Sequence, residues 1–308
     1  MNPDSSRRIP TIPEKGVKIP VLFDTDAGNE ADDQLAIALA LAMPERFEIK
    51  GFVSAHFHDK KDNTQASFEE INRVLAFCNM KGMYPVIRGG DPLTYSHVPA
   101  ESDGVDFIID TAKTFSAETP LRIVVLGACS NTVSAFLKAP EIADNVIVHF
   151  HGRTRYWPRM CYNFNIFGDV KAARVLFTSS LPFVLFDTGT FLVASIEEME
   201  QGLLPLGPLG KYLHEVRLRT ENYASTNRAY SDLADGRAFS DLGDVAFLAD
   251  PSLCKWEETL APALGWDLTY RWEQTYGTIL RVHTIDRDKT FELLYFRLAS
   301  AFGQLKEG

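Results

Sequence analysis

Short, nearly continuous apolar runs alternate with longer helical patterns along the first two-thirds of the chain. The runs KIPVLF, IKGFVSA, YPVIRG, RIVVLGA, NVIVHFHG and PFVLFDTG read as strands. Most lack polar alternation, which marks strands covered on both faces of a parallel sheet. Between them, residues 33–43, 65–80, 105–115, 132–137 and 170–178 carry helical periodicity. Strand followed by helix, repeated, predicts a doubly wound, mostly parallel α/β sheet with right-handed crossovers. Beyond about Ser195 helical stretches dominate: SIEEMEQGLL, LGKYLHEVRLRT, DLGDVAFLA and DKTFELLYFRLASAF. They are interrupted by LTYRWEQTYGTILRVHTI, which reads as a hairpin. A C-terminal helical cap on the carboxyl ends of the strands is expected, not a second domain. Residues 1–17 are expected to be a flexible leader, and 18–308 a single domain.

One stretch breaks the pattern. In VLFDTDAGNEADDQLAIALAL the first apolar run ends in Asp24, Asp26, Glu30, Asp32 and Asp33 before an apolar helix begins. In an open α/β sheet this strand end is where ligands bind. Asp24 and Asp26 are two apart, so on extended backbone they leave on the same face. Helix capping accounts for Asp32, and for Glu30 as well. It does not account for two carboxylates ending a buried strand. Crowded carboxylates repel and take up protons unless a cation lies among them. A donor set without His or Cys suits Ca²⁺ or Mg²⁺. An EF-hand fits poorly, with Asn29 at the glycine position and Leu35 at the closing glutamate. Asp241, ahead of an apolar helix, is a further carboxylate candidate, with capping as its plainer role. Asn163 and Asn165 precede another helix, where Asn is commonly a turn former.

Composition narrows the partners. The chain has 31 basic and 41 acidic residues, a formal charge of −10, which argues against nucleic-acid or anionic-membrane binding. Its four cysteines are scattered and form no CxxC pair, so reduced thiols in a cytoplasmic protein are expected. The polar N-terminus has no signal-peptide core, and no run approaches membrane-spanning length.

Taken together, these segments resemble the nucleoside hydrolase family, also called inosine-uridine preferring. FDTDAGNEADDQLAIALAL is similar to its DxDPGxDDxxA signature, with two extra residues before the paired aspartates. PVIRGGDPL resembles its V-Y-x-G-x-x-x-P-L stretch, VVLGACSNTVSAFLKAPEIADNV its LGPLTN segment, and NFNIFGDVKAARVLF its EFNxxxDPEAAxxV segment. FSDLGDVAFLADP takes the place of its late HD-containing segment, and the order holds from about Lys18 to Pro251.

The resemblance implies Ca²⁺-dependent hydrolysis of the N-glycosidic bond of a nucleoside or related N-riboside. By position, Asp26, Asp33, the Ser130 carbonyl and Asp241 would bind the ion, and Asp26 would also accept the proton of the attacking water. Asp32 and Asn165 would hold ribose hydroxyls, with Asp24 supporting from behind. A homo-oligomer, dimer or tetramer, is implied as well. Departures fall on the substrate side, where Asn163, His58 and Trp157 are expected among the substrate-binding residues: Asn163 replaces the family's Glu, Ser240 its His, and His58 and Trp157 stand near positions where Asn is common. The substrate is therefore expected to differ from a common ribonucleoside. The loop TENYASTNRAYSD offers Tyr223, Asn227, Arg228 and Tyr230 as covering residues, or is a solvated loop. Two rivals remain: a phosphatase-like enzyme with an Asp nucleophile, and a metal-dependent nucleoside- or sugar-binding protein without turnover.

Overall fold

The computed structural model describes residues 7–58, 63–152, 156–188, 192–219 and 236–303. The six apolar runs form six parallel strands: β1 (Ile19–Thr25), β2 (Phe47–Ser54), β3 (Val86–Arg88), β4 (Leu121–Val125), β5 (Val146–His151) and β6 (Phe183–Phe186). Between them lie α1 (Asp32–Leu41), α2 (Thr64–Phe77), α3 (Asp103–Ala112), α4 (Ser130–Lys138), α5 (Phe164–Gly168) and α6 (Val170–Thr178). Side chains alternate across each strand: Val21 and Phe23 enter one core and Leu22 the other. Both faces are therefore buried, which is why the strands carry no polar alternation.

The chain after residue 195 supplies α7 (Ile196–Leu203), α8 (Pro208–Arg219) and helices Leu242–Ala249 and Arg287–Phe302. These pack with α1 and α2 on one face, while α3, α4 and α6 cover the other. Every residue of α1 is buried, because it lies between the sheet and the C-terminal helices. That explains an apolar helix without a polar stripe. A short antiparallel pair, β7 (Val193–Ala194) and β8 (Arg237–Ala238), leads the chain to Asp241.

The stretch expected to be a hairpin is one arm of a longer one. β10 (Tyr270–Ile285) pairs antiparallel with β9 (Cys254–Leu264) and parallel with β6, extending the sheet to eight strands in the order β3-β2-β1-β4-β5-β6-β10-β9. Gly277, at φ 73°, sits where the β9–β10 register shifts, so its turn signal marks an irregularity inside a strand.

Residues 7–17 also differ from the expected loose leader. Arg7 is buried; its Nη2 donates to the carbonyls of Leu176, Phe177 and Ser179, and its guanidinium lies 4.8 Å from the Phe183 ring centroid. Arg46 donates to the carbonyls of Glu14, Val17 and Leu248. These bonds tie residues 7–17 to backbone carbonyls of the domain, and a polar, proline-bearing sequence becomes a fixed strap. All four cysteines are buried and free. No helix of the described residues is long and apolar enough to cross a membrane.

Candidate active site

The sheet order reverses between β1 and β4: β2 and β3 follow on one side, β5 and β6 on the other. The carboxyl ends of β1 and β4 open the crevice that such a reversal creates. Asp24, at the end of β1, is fully buried; its two oxygens accept from Asn131 Nδ2 and Thr132 Oγ1, each at 2.8 Å. Burial still pushes its pKa up to about 6 against those bonds. Two residues on, Asp26 is wedged against the turn after β4, where a Cβ on Gly127 would lie 2.9 Å from Asp26 Cβ, Cγ and Oδ1.

Asp32 and Asp33 open α1, and Asp241 precedes the helix Leu242–Ala249 that packs beside it. Carboxylate oxygens of Asp32, Asp33 and Asp241 all lie within 4.8 Å of one another, and all three residues are buried. Thr25 Oγ1 donates to Asp33 Oδ1, and the Asp241 backbone N–H donates to Asp32 Oδ2 at 3.2 Å. Among the described residues Asp32 Oδ1 is buried without a partner. Burial, then repulsion from Asp33, Glu30 and Asp32, raises the Asp26 pKa well above the ordinary value. Burial, then Asp32, Asp33 and Asp26, does the same to Asp241. Asp33 is pushed up to about 7, by burial first and Asp32 second. Without a cation this cluster holds protons; an all-oxygen donor set with an unsatisfied acceptor fits a hard divalent ion.

Other predicted residues take varied places. Asn165 lies at the cluster's side, its Nδ2 donating to the carbonyls of Leu126 and His151. Ser130 is the first residue of α4; its Oγ donates to Asp169 Oδ2 at 2.8 Å and lies 2.7 Å from His56 Nε2. Asn163 caps α5, accepting from Ile166 N at 3.2 Å. His58 is exposed, with its ring 4.6 Å from that of Phe164. Trp157 packs edge-on against Tyr270 and Trp272 and under the Arg281 guanidinium, on the β10 side of the sheet. Tyr223, Asn227, Arg228 and Tyr230 lie outside the described residues.

Sequence reasoning missed Asp244. Its Oδ2 accepts from His151 Nδ1 at 2.6 Å, and the same nitrogen lies 3.7 Å from Asp241 Oδ1. The signal was available: Asp241 and Asp244 are three apart at a helix start, and so share a face. His149, two residues before His151, accepts from Arg122 Nη1 at 3.0 Å and is a neutral core residue, its pKa driven well down by burial and then by Arg122.

Comparison with known proteins agrees with this geometry. The family model described as inosine-uridine preferring nucleoside hydrolase matches residues 21–290. The pyrimidine-specific ribonucleoside hydrolase RihA of Citrobacter koseri is 29% identical over 195 residues, covering 54% of this chain and 59% of that protein. An uncharacterized protein of Schizosaccharomyces pombe is 28% identical over 194 residues, with the same coverage. The chain thus spans about 59% of the length of the curated relatives it matches. A purine-preferring ribonucleoside hydrolase from Gardnerella vaginalis superposes with a TM-score of 0.73 at 19% identity, covering 93% of this chain and 100% of that one. A plant nucleoside hydrolase gives 0.70 at 21%, covering 91% and 98%. At these identities the likeness is one of fold.

Proposed function

The chain belongs to the inosine-uridine preferring nucleoside hydrolase family, whose model matches residues 21–290, and on that premise we propose that it hydrolyses the N-glycosidic bond of a nucleoside or related N-riboside. The products are free base and sugar. The observation that carries the reading is the buried trio Asp32, Asp33 and Asp241 beside Asp26 at the switch point of the sheet, with Asp32 Oδ1 left unpaired among the described residues.

Asp26, Asp33, Asp241 and the Ser130 carbonyl would hold a calcium ion. When bound, such an ion supplies positive charge that acidifies the attacking water and fixes sugar hydroxyls. Asp26, placed beside that water by its own hold on the ion, would accept the water's proton. Asp32 Oδ1 and Asn165 accept hydrogen bonds from sugar hydroxyls and orient the ring. As the C–N bond breaks, the sugar gains oxocarbenium character, and the acidic cluster stabilises that charge. Asp24, tied to Asn131 and Thr132, keeps the end of β1 in place beneath them.

The test is a hydrolysis screen over purine, pyrimidine and modified nucleosides with calcium or chelator present. Release of reducing sugar with calcium, abolished by chelation and by Asp26→Ala in a folded protein, is the expected result. Full activity under either treatment would refute the assignment. A second reading, a nucleoside-binding protein without turnover, draws support from Asn163, whose side chain is engaged in capping α5. Tight nucleoside binding with no sugar released anywhere in the screen would favour it.

A further inference from the structure

The turn that carries Asp26 from β1 to α1 is held by its own bonds and by its neighbours. Asn29 N donates to Asp26 O at 2.8 Å, and Asn29 Nδ2 lies 3.5 Å from Asp26 Oδ2. Helix α2 adds to this hold, with Gly28 N–H approaching Ser67 Oγ at 3.4 Å. Gly28 sits so close to α2 that a Cβ there would lie 2.7 Å from Ala66 C and Ser67 N.

Gln34, buried in the first turn of α1, folds back beneath the turn. Its Nε2 donates to Ala27 O at 2.8 Å and Glu30 O at 3.0 Å, and reaches Glu70 Oε1 at 3.2 Å. Three acceptors around one amino group fix the orientation of the amide, and Gln34 Oε1 is left buried without a partner. An unpaired buried acceptor is costly, so this orientation is held against a penalty. Glu70, on α2, also accepts from Tyr212 Oη of α8 and from Arg73 Nη1. A chain of bonds thus runs from the turn through Gln34 and Glu70 to Tyr212.

We infer that Gln34, braced by Glu70 and Tyr212, is a positioning residue of the cation site: it fixes the carbonyls of Ala27 and Glu30, and with them the turn that aims Asp26 at Asp33 and Asp241. This rests on the reading that the acidic cluster holds a divalent cation. Among the described residues the Asp26 side chain has only the 3.5 Å approach of Asn29 as a hydrogen-bond partner, so its direction depends on its backbone and on packing against Gly127. Leucine at position 34 fills similar space but donates no hydrogen bond. The turn carbonyls would be released and Asp26 would swing away from the other carboxylates. Groups that orient metal ligands typically change affinity about 10- to 100-fold when removed.

The experiment is calorimetric titration of calcium into the full chain, as wild type, Gln34→Leu and Tyr212→Phe. Thermal unfolding of each cation-free protein and hydrolysis at rising calcium are measured in parallel. Gln34→Leu should weaken calcium binding about 10- to 100-fold, and Tyr212→Phe several-fold. The cation-free Gln34→Leu protein should melt somewhat lower than wild type, because Ala27 O, Glu30 O and Glu70 Oε1 lose a donor, yet stay folded at the titration temperature, and excess calcium should restore kcat, which a general loss of structure would not allow. Wild-type binding with both variants within about twofold would overturn the inference while leaving the cation reading intact. No calcium binding by the wild type would overturn both. If Gln34→Leu does not fold, Tyr212→Phe decides: unchanged affinity there refutes the brace.

Discussion

Replacing Asp33 by Asn should stabilise the cation-free protein while removing its ability to hold the ion. Asp33 is buried, and its pKa rises from 3.8 to about 7, through burial first and Asp32 second. Between those two values the folded protein keeps a proton that the unfolded chain has released. Stability therefore falls as pH rises through that window, and the full penalty is present above about pH 7. At about 1.36 kcal/mol per pH unit, the interval from 3.8 to about 7 corresponds to about 4 kcal/mol. Asparagine carries no charge, and its Oδ1 can still accept from Thr25 Oγ1. The neighbouring carboxylates would relax once one charge is gone, so the gain at pH 8 is on the order of 1–4 kcal/mol. At pH 4 it should be small, because the folded protein keeps its proton there and the unfolded chain has released its own only in part. Urea unfolding in chelator at the two pH values measures the difference directly. A variant destabilised equally at both, or a wild type whose cation-free stability does not fall from pH 4 to 7, would refute the electrostatic reasoning. Asp24 and Asp244, each pushed up to about 6 chiefly by burial, add to the wild-type slope with the same sign.

Two further substitutions probe the frame. Gly127→Ala, whose Cβ would lie 2.9 Å from three atoms of Asp26, should lower hydrolysis on the order of 10- to 100-fold by displacing that carboxylate; unchanged kinetics would show that Asp26 tolerates the shift. Arg7→Ala removes a donor from the carbonyls of Leu176, Phe177 and Ser179, of which Leu176 keeps Ser179 Oγ, and should cost about 2 kcal/mol in urea unfolding, whereas a loss below about 0.5 kcal/mol would mean that the strap contributes little.

The six parallel strands and the acidic β1–α1 junction were legible because they depend on local signals. Apolar runs without alternation and carboxylates at a strand end each have few physical explanations. The long hairpin was not legible, since Cys254–Leu264 and Tyr270–Ile285 are each mostly exposed over their first halves and carry mixed polar residues. The fixed strap was hidden for a different reason. Arg7 and Arg46 act on carbonyls distant in sequence, and nothing local distinguishes a buried arginine from a solvated one. Gln34 was overlooked on similar grounds, because its partners, Ala27, Glu30 and Glu70, are assembled only by tertiary packing. Asn163 and Trp157 show the limit of positional transfer: the sequence marks them as departures from the family pattern, and the structure engages one as a cap and the other in an aromatic cluster.

The central claim is that a divalent cation lies among Asp26, Asp33 and Asp241. A crystal structure of the full chain grown with calcium and a non-hydrolysable nucleoside tests it most directly. The account predicts one ion bonded to those carboxylates and to the sugar hydroxyls. A well-ordered structure with nucleoside bound, no ion at the cluster and the three side chains turned apart would contradict it.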